Sequence, residues 1–406
     1  MVRFTVSLVL FFSFNLITAQ ISWAPYTGNP VIGEGFAGSS DVFYSPMVLS
    51  DSGTYHMWFT TKQGSTSERI AYATSLDGMN WALVDSTVLE PSSNPNRFDS
   101  QKLGQCWVIK ENDTLRMWYW GDGPNIGNIG YAWSLDGIIW NKTDGSGTDQ
   151  SIFDRNMDGS GALAVSTPCV LKDGATYHMW YVRTHVVGVQ VIRTLAHATS
   201  PNGIDWTNIP GPGPNGTIMS MGSPGDFDEG TQAFPVVIKQ GNEYWMWYSG
   251  GNATGNIRIG FAKSTDGQTW TKIPGIAGNG AVLSNMPDQI LGGTVLDEET
   301  TLKMYYSINN QPDILLAVSE IISSIESTSE TKPEFYPNPF GNQLMIRFST
   351  GESVTFSLYN FLGQQVIQQT FTNSTLIHTE QLVNGIYFYE LKNDKGVSKT
   401  GIVVKQ

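Results

Sequence analysis

Cysteine is nearly missing. Two in 406 residues exclude a scaffold stapled by disulfides. Positive charge is also scarce: 23 Lys and Arg stand against 36 Asp and Glu, a net charge of −13. Little is left to neutralise a phosphate backbone, so nucleic acid is not expected as a partner. Charge of either sign makes up only 15% of the chain while aromatics reach 12%, which separates it from acidic disordered tails. After the first 17 residues no apolar run approaches the ~20 residues that a bilayer span needs, so no transmembrane segment is expected in the mature, soluble protein. What is abundant is glycine, 43 residues, alongside Trp and Tyr. That mixture suits short twisted strands joined by tight turns in a secreted β protein.

Both ends read as address labels. Met1-Val2-Arg3 precedes an apolar stretch from Phe4 to Ile17, then Thr18-Ala19-Gln20. One cation, a short hydrophobic stretch and a small residue make a signal peptide over 1–19, cleaved near Ala19. Near the other end, residues 323–334 are rich in Ser, Thr and Glu and read as a linker. Beyond it, strands are expected at Gln343–Phe348, Ser353–Tyr359, Gln365–Phe371, Gly385–Leu391 and Gly396–Val404, a small antiparallel β-sandwich over 335–406.

This C-terminal stretch carries a resemblance. Tyr336-Pro337-Asn338-Pro339-Phe340, Leu358-Tyr359-Asn360 with Gly363 and Val366, Leu382 with Gly385-Ile386-Tyr387, and Gly401-Ile402-Val403-Val404-Lys405 occur in order. Together they resemble the type A C-terminal sorting domain of the type IX secretion system. The resemblance implies export across the outer membrane of a Bacteroidetes-type bacterium, with the secretion machinery as a partner. It also implies removal of the domain and release, or attachment of the cargo to the cell surface.

Between the labels one unit repeats. A Val-Leu or Val-Ile pair starting at 48, 108, 170, 237 and 295 is followed each time by an aromatic-rich strand, such as Tyr55-His56-Met57-Trp58-Phe59 or Tyr177-His178-Met179-Trp180-Tyr181. A third strand then runs into Ser-Leu-Asp77-Gly78, Ser-Leu-Asp136-Gly137, Ser-Pro-Asn202-Gly203 or Ser-Thr-Asp266-Gly267, with a Trp three residues after each Gly. The Asp-Gly and Asn-Gly pairs supply the positive φ of a tight turn, and the Trp opens a fourth strand. Four strands per repeat of roughly 60 residues suit a propeller blade. The fifth repeat lacks its Trp strand, but Ile21-Ser22-Trp23-Ala24-Pro25-Tyr26 matches Trp270-Thr271-Lys272-Ile273. The fold class is therefore all-β: a five-bladed β-propeller over 20–322, closed by the N-terminal strand, which removes exposed sheet edges.

This five-fold ring resembles the propeller superfamily of glycoside hydrolase families 32, 43 and 130. A sialidase-like propeller is a competing resemblance, but its Asp-box is one residue longer between Asp and Gly and its blades number six. The preferred resemblance implies a polysaccharide or oligosaccharide partner and paired carboxylates on the inner strands, one acting as general acid. The matching positions here are Ser45, Gln105, Thr167, Phe234 and Gly292, and none is acidic. A hydroxyl cannot serve as general acid near neutral pH. Asp41 and Glu229, close to inner strands, are the substitute catalytic candidates. Gln105, Trp107 and Trp133 are the candidates for substrate binding, with Trp120 a further non-repeating aromatic. Phe98-Asp99, Phe153-Asp154 and Phe227-Asp228 recur with the scaffold and read as structural. No cofactor is implied, no metal-ligand spacing occurs among the histidines, and Cys106 and Cys169 sit in registers too different for a disulfide. Three functions stay open: a glycoside hydrolase, a non-catalytic glycan-binding module, and a protein-interaction propeller.

Overall fold

A computed structural model of the chain describes residues 21, 23–36, 41–63, 67–275, 280–282, 289–298, 301–309, 311, 313–320, 333–360, 363–393 and 398–406. The expected signal peptide and most of the expected linker lie outside the described residues. The chain divides into two compact units, one ending at residue 322 and the other beginning at 323.

The first unit holds five four-stranded antiparallel sheets. A short strand β1 (Ala24–Pro25) precedes them in sequence. The first sheet runs β2 (Val42–Asp51), β3 (Thr54–Gln63), β4 (Ser67–Ser75), β5 (Ala82–Leu89), and the second β6 (Lys102–Glu111), β7 (Thr114–Asp122), β8 (Asn128–Ser134), β9 (Asn141–Thr143). The third runs β10 (Ala164–Asp173), β11 (Thr176–Val187), β12 (Gln190–Ser200), β13 (Thr207–Ile209), and the fourth β14 (Thr231–Gln240), β15 (Glu243–Gly251), β16 (Ile257–Ser264), β17 (Thr271–Ile273). The fifth contains β18 (Ile290–Asp297), β19 (Thr301–Ile308) and β20 (Ile314–Glu320), and β1 is its outermost strand. Strands β2, β6, β10, β14 and β18 neighbour one another in a closed circle, so the sheets are blades of a ring. Ala24 pairs with Val318 and Pro25 with Ala317, and Tyr26 N–H donates to the Leu316 carbonyl at 2.9 Å. The closure expected from Ile21–Tyr26 is thus the one the chain adopts.

A repeated latch joins the blades. Trp58 Nε1 donates to the Gly137 carbonyl of the next blade at 2.9 Å, Trp118 to Gly203 at 2.7 Å and Trp180 to Gly267 at 2.8 Å. Trp140, Trp206 and Trp270 donate to the same three carbonyls from inside that next blade, each at 3.0 Å. Each indole pair meets edge to face at about 6 Å. At the junction of blades five and one, the Tyr305 hydroxyl donates to the Gly78 carbonyl at 2.9 Å. The fourth junction differs. Trp23 meets Trp247 edge-on at 5.9 Å, and neither indole N–H has a partner among the described residues.

The turns that present those carbonyls are built by side chains. Asp77 Oδ1 accepts from the N–H groups of Met79 and Asn80, both at 2.8 Å, while Ser75 Oγ accepts from Gly78 N–H at 2.9 Å. Asp136 and Asp266 repeat the pattern, and Asn202 does so without a charge. Backbone N–H groups hold Asp77 and Asp136 below the usual carboxylate range. At Asp266 burial pushes upward, but the N–H groups of Thr269 and Gln268 outweigh it. A depressed folded pKa gives stability that is complete above the unfolded value of about 3.9 and lost as pH falls below it. Replacing all three by Asn, as at Asn202, is expected to flatten the fall in melting temperature between about pH 4 and pH 2. An unchanged acid slope in thermal melts would contradict this account.

The second unit is a five-stranded sheet of β21 (Glu334–Tyr336), β22 (Gln343–Tyr359), β23 (Gln365–His378), β24 (Gly385–Asn393) and β25 (Ser398–Lys405). The two strands expected at Gln343–Phe348 and Ser353–Tyr359 are one, with a register shift between Phe348 and Ser353. The chain therefore curls a single sheet nearly closed where two sheets of a sandwich are expected. Phe340 accepts from Gln406 N–H at 2.9 Å and donates to the Val404 carbonyl at 2.8 Å. Leu344, Ile346, Phe356, Leu358 and Val403 fill its core.

Candidate functional site

Each inner strand breaks its ladder once, between Tyr44 and Met47, Gly104 and Trp107, Ser166 and Cys169, Ala233 and Val236, and Leu291 and Thr294. These bulges hold the five ring positions singled out from sequence. Ser45 and Phe234 have φ of 50°, and Gln105 and Thr167 have φ of 46°. A left-handed backbone costs a non-Gly residue about 1 kcal/mol or more, and such strain concentrates at functional sites. Neighbouring blades hold three of the bulges. The N–H groups of Gln105, Gly292 and Ser45 donate to the hydroxyls of Thr60 (2.8 Å), Ser249 (2.9 Å) and Ser307 (3.3 Å). At the matching place blades two and three carry Trp120 and Val182 instead, and there the ring opens into a cavity.

The opening has two lobes over a shared floor of Gln105, Phe234, Leu291 and Asn309. The first, of about 420 Å³, is walled by blades two to four and includes Trp120, Thr167, Thr184, Arg193 and Thr231. The second, of about 490 Å³, is walled by blades one and five and includes Tyr44, Lys62 and Glu68. A neck of about 30 Å³ lies among Ser45, Gln105, Trp107 and Thr167. Polar groups without partners crowd this space. The hydroxyls of Ser45, Thr167 and Thr231 are buried and make no hydrogen bond among the described residues. Glu68 is the single carboxylate among the described residues that wall either lobe. Lys62 Nζ lies 4.0 Å from it, and burial, reinforced by Glu68, pushes the Tyr44 phenol far above its ordinary value.

The residues anticipated from sequence are dispersed around this space. Gln105 lines both lobes and the neck. Trp107 is buried at the neck, paired across the ladder with Trp118. Trp133 is 38% exposed but sits towards the opposite end of β8 from Gly127, which lines the first lobe. Asp41 precedes β2 and accepts from Thr61 Oγ1 at 3.0 Å. Glu229, two residues before Thr231, accepts from the N–H groups of Ala253 (2.8 Å) and Gly225 (2.6 Å). Those bonds hold its carboxyl below the usual range, which suits an ionised group and disfavours a proton donor. Neither Asp41 nor Glu229 is among the residues lining the two lobes.

Glu68 was missed from sequence because it lies on a third strand element and outside every repeated motif. Only its i, i+6 relation to Lys62 across the β3–β4 hairpin hinted at it. The Phe-Asp pairs are structural, with a refinement. Asp99 accepts from Arg97 Nε (3.0 Å), Tyr119 OH (3.0 Å) and Lys142 Nζ (2.6 Å), and Asp228 from Gln232 (2.9 Å), Tyr248 OH (3.0 Å) and Lys272 Nζ (2.6 Å). In blade three a short helix α1 (Arg155–Asp158), capped by Asp154, shifts this role to Asp158. The cysteines are free and buried. His178 and His197 hydrogen-bond at 3.0 Å, and burial pushes His197 down to about 3. Among the described residues no three His, Cys, Asp or Glu side chains are placed to hold a metal.

Fold and sequence now converge on a class: a five-bladed β-propeller carrying a secretion tail. Residues 334–405 match the secretion system C-terminal sorting domain, so the protein is exported by the type IX route to the cell surface or extracellular space. Over 74% of its length the chain superposes on a beta-1,2-mannobiose phosphorylase from Listeria innocua, with TM-score 0.58, 13% identity and 97% of that chain covered. A glycosyl hydrolase from Bacteroides ovatus gives TM-score 0.57 and 16% identity over 74% of this chain and 94% of that one. An uncharacterized protein of Mycobacterium tuberculosis is 33% identical over 172 residues, which is 40% of this chain and 50% of that protein. The chain thus spans about half the length of the curated relatives it matches. No described helix is long and apolar enough to cross a membrane.

Proposed function

We propose that the two-lobed opening binds an extracellular oligosaccharide or polysaccharide. The observation that carries this reading is the wall itself: unpartnered hydroxyls, the Gln105 amide and an indole plane around a concave space deep enough for sugar rings. Likeness to carbohydrate-active propellers supports it. A protein-interaction role would not call for so many unpaired hydroxyls in a recess. Retardation in gels containing plant and algal polysaccharides tests the reading. Trp120→Ala and Gln105→Ala are each expected to weaken retardation about five- to thirtyfold, since stacking and a half-buried amide each contribute on the order of 1–2 kcal/mol. Retardation unchanged in both variants would remove the opening from consideration.

A hydrolytic reading rests on Glu68, which lies in the wall and could supply one carboxylate. Hydrolysis needs a second about 5–10 Å away, for which Asp41 and Glu229 are the proposed candidates. Release of reducing ends, lost in Glu68→Gln together with Asp41→Asn or Glu229→Gln, would establish it. Retardation without release leaves a glycan-binding module.

A further inference from the structure

The first lobe is unusual in its charge. On this acidic propeller most cations are matched: Lys110 with Asp51 at 2.5 Å, Arg116 with Glu111 at 2.8 Å, Arg183 with Asp158 at 2.6 Å, Lys239 with Asp173 at 2.5 Å. Arg193 is not. It lines the lobe of about 420 Å³, yet no ion pair or hydrogen bond ties its side chain to another described residue. No carboxylate shares that lobe's described lining. Thr184, its partner in the β11–β12 ladder, lines the same lobe, and while its carbonyl accepts from Leu163 N–H at 2.8 Å, its hydroxyl makes no hydrogen bond to another described residue. In a chain of net charge −13, a guanidinium paired with no described carboxylate leaves its fork open to an anion from outside. That planar fork fits a carboxylate or sulfate through two parallel hydrogen bonds. Trp120, Ile126 and Ile257 line the same lobe and offer apolar surface to a sugar ring.

We propose that the first lobe receives an acidic sugar, its carboxylate or sulfate held by Arg193 with Thr184 alongside. This rests on the glycan reading above and names the substrate class within it. The test uses the secreted protein with polysaccharides in matched pairs: polygalacturonate and its methyl ester, glucuronoxylan and its carboxyl-reduced form, a sulfated galactan and its desulfated form. At least one acidic member should be bound about tenfold more tightly than its neutral twin, the factor expected of a hydrogen-bonded charge. Arg193→Gln should bring the twins together with an unchanged melting temperature, and Arg193→Lys should restore part of the difference. Equal affinity within every pair, or a preference that survives Arg193→Gln, overturns the proposal. So does displacement by inorganic phosphate without any preference for an acidic glycan. Retention of neutral glycans alone overturns it while the glycan reading stands. Retention of no glycan overturns both.

Discussion

Trp23→Ala is expected to lower the melting temperature by about 10 °C, because truncating a buried Trp costs about 3–5 kcal/mol and a domain of this size loses a few degrees per kcal/mol. Trp23 is 9% exposed and packs edge-on against Trp247. Elsewhere an indole N–H grips a turn carbonyl of the next blade. At this junction the Trp247 indole has no such acceptor among the described residues, so ring packing carries the join. Deleting Ile21–Tyr26 removes the pairing with Val318 and Ala317 as well and bares the edge of β20. Its effect should exceed that of Trp23→Ala and add a tendency to aggregate. Differential scanning calorimetry against Leu76→Ala, at a position 84% exposed, is the comparison. Equal melts would contradict closure by β1.

Asp158→Asn is expected to destabilise by about 3 kcal/mol, since it leaves a charged partner buried without its counterion. The side chains of Asp158 and Arg183 are 0% and 1% exposed, with Nε 2.6 Å from Oδ1. Arg183 also donates to the Asn215 carbonyl at 3.2 Å, the Gly216 carbonyl at 3.1 Å and Asn208 Oδ1 at 2.8 Å, and the Tyr181 hydroxyl donates to Asp158. The guanidinium thus ties the inserted helix of blade three to the loop that follows β13. Arg183→Met alone should cost a similar amount, and the double variant less than the sum, because the stranded charge is then gone. Urea unfolding of the four proteins measures the coupling, and strict additivity would show that the pair does not act as a unit.

The candidate site was legible in part. The ring positions Ser45, Gln105, Thr167, Phe234 and Gly292 stand out once the repeats are aligned, and they do surround the axis. Their conformation was not legible. A residue before proline is biased towards extended backbone, yet Ser45, Thr167 and Phe234 are left-handed, held by bulges and, at Ser45, by the Ser307 hydroxyl of the neighbouring blade. Glu68 could not be found by spacing, because it reaches the opening only when the β3–β4 hairpin stands in its place in the ring. Conversely, Trp133 looked like Trp120 as a non-repeating aromatic, and only strand direction separates them.

By itself the sequence determined the repeat, the four strands of each blade and the exchange of the N-terminal strand into the last blade, while a motif resemblance marked the sorting tail. The repeat and the blade strands follow from periodicity and turn chemistry, which act between near neighbours in the chain and so are written there. Tertiary structure alone decided which polar groups remain unpaired around the opening, where the wall carboxylate Glu68 stands, and that Arg193 has no counterion among the described residues. Those properties arise between blades some 60 residues or more apart, where Trp120 takes the ladder place that Thr60 holds in blade one and lines the cavity.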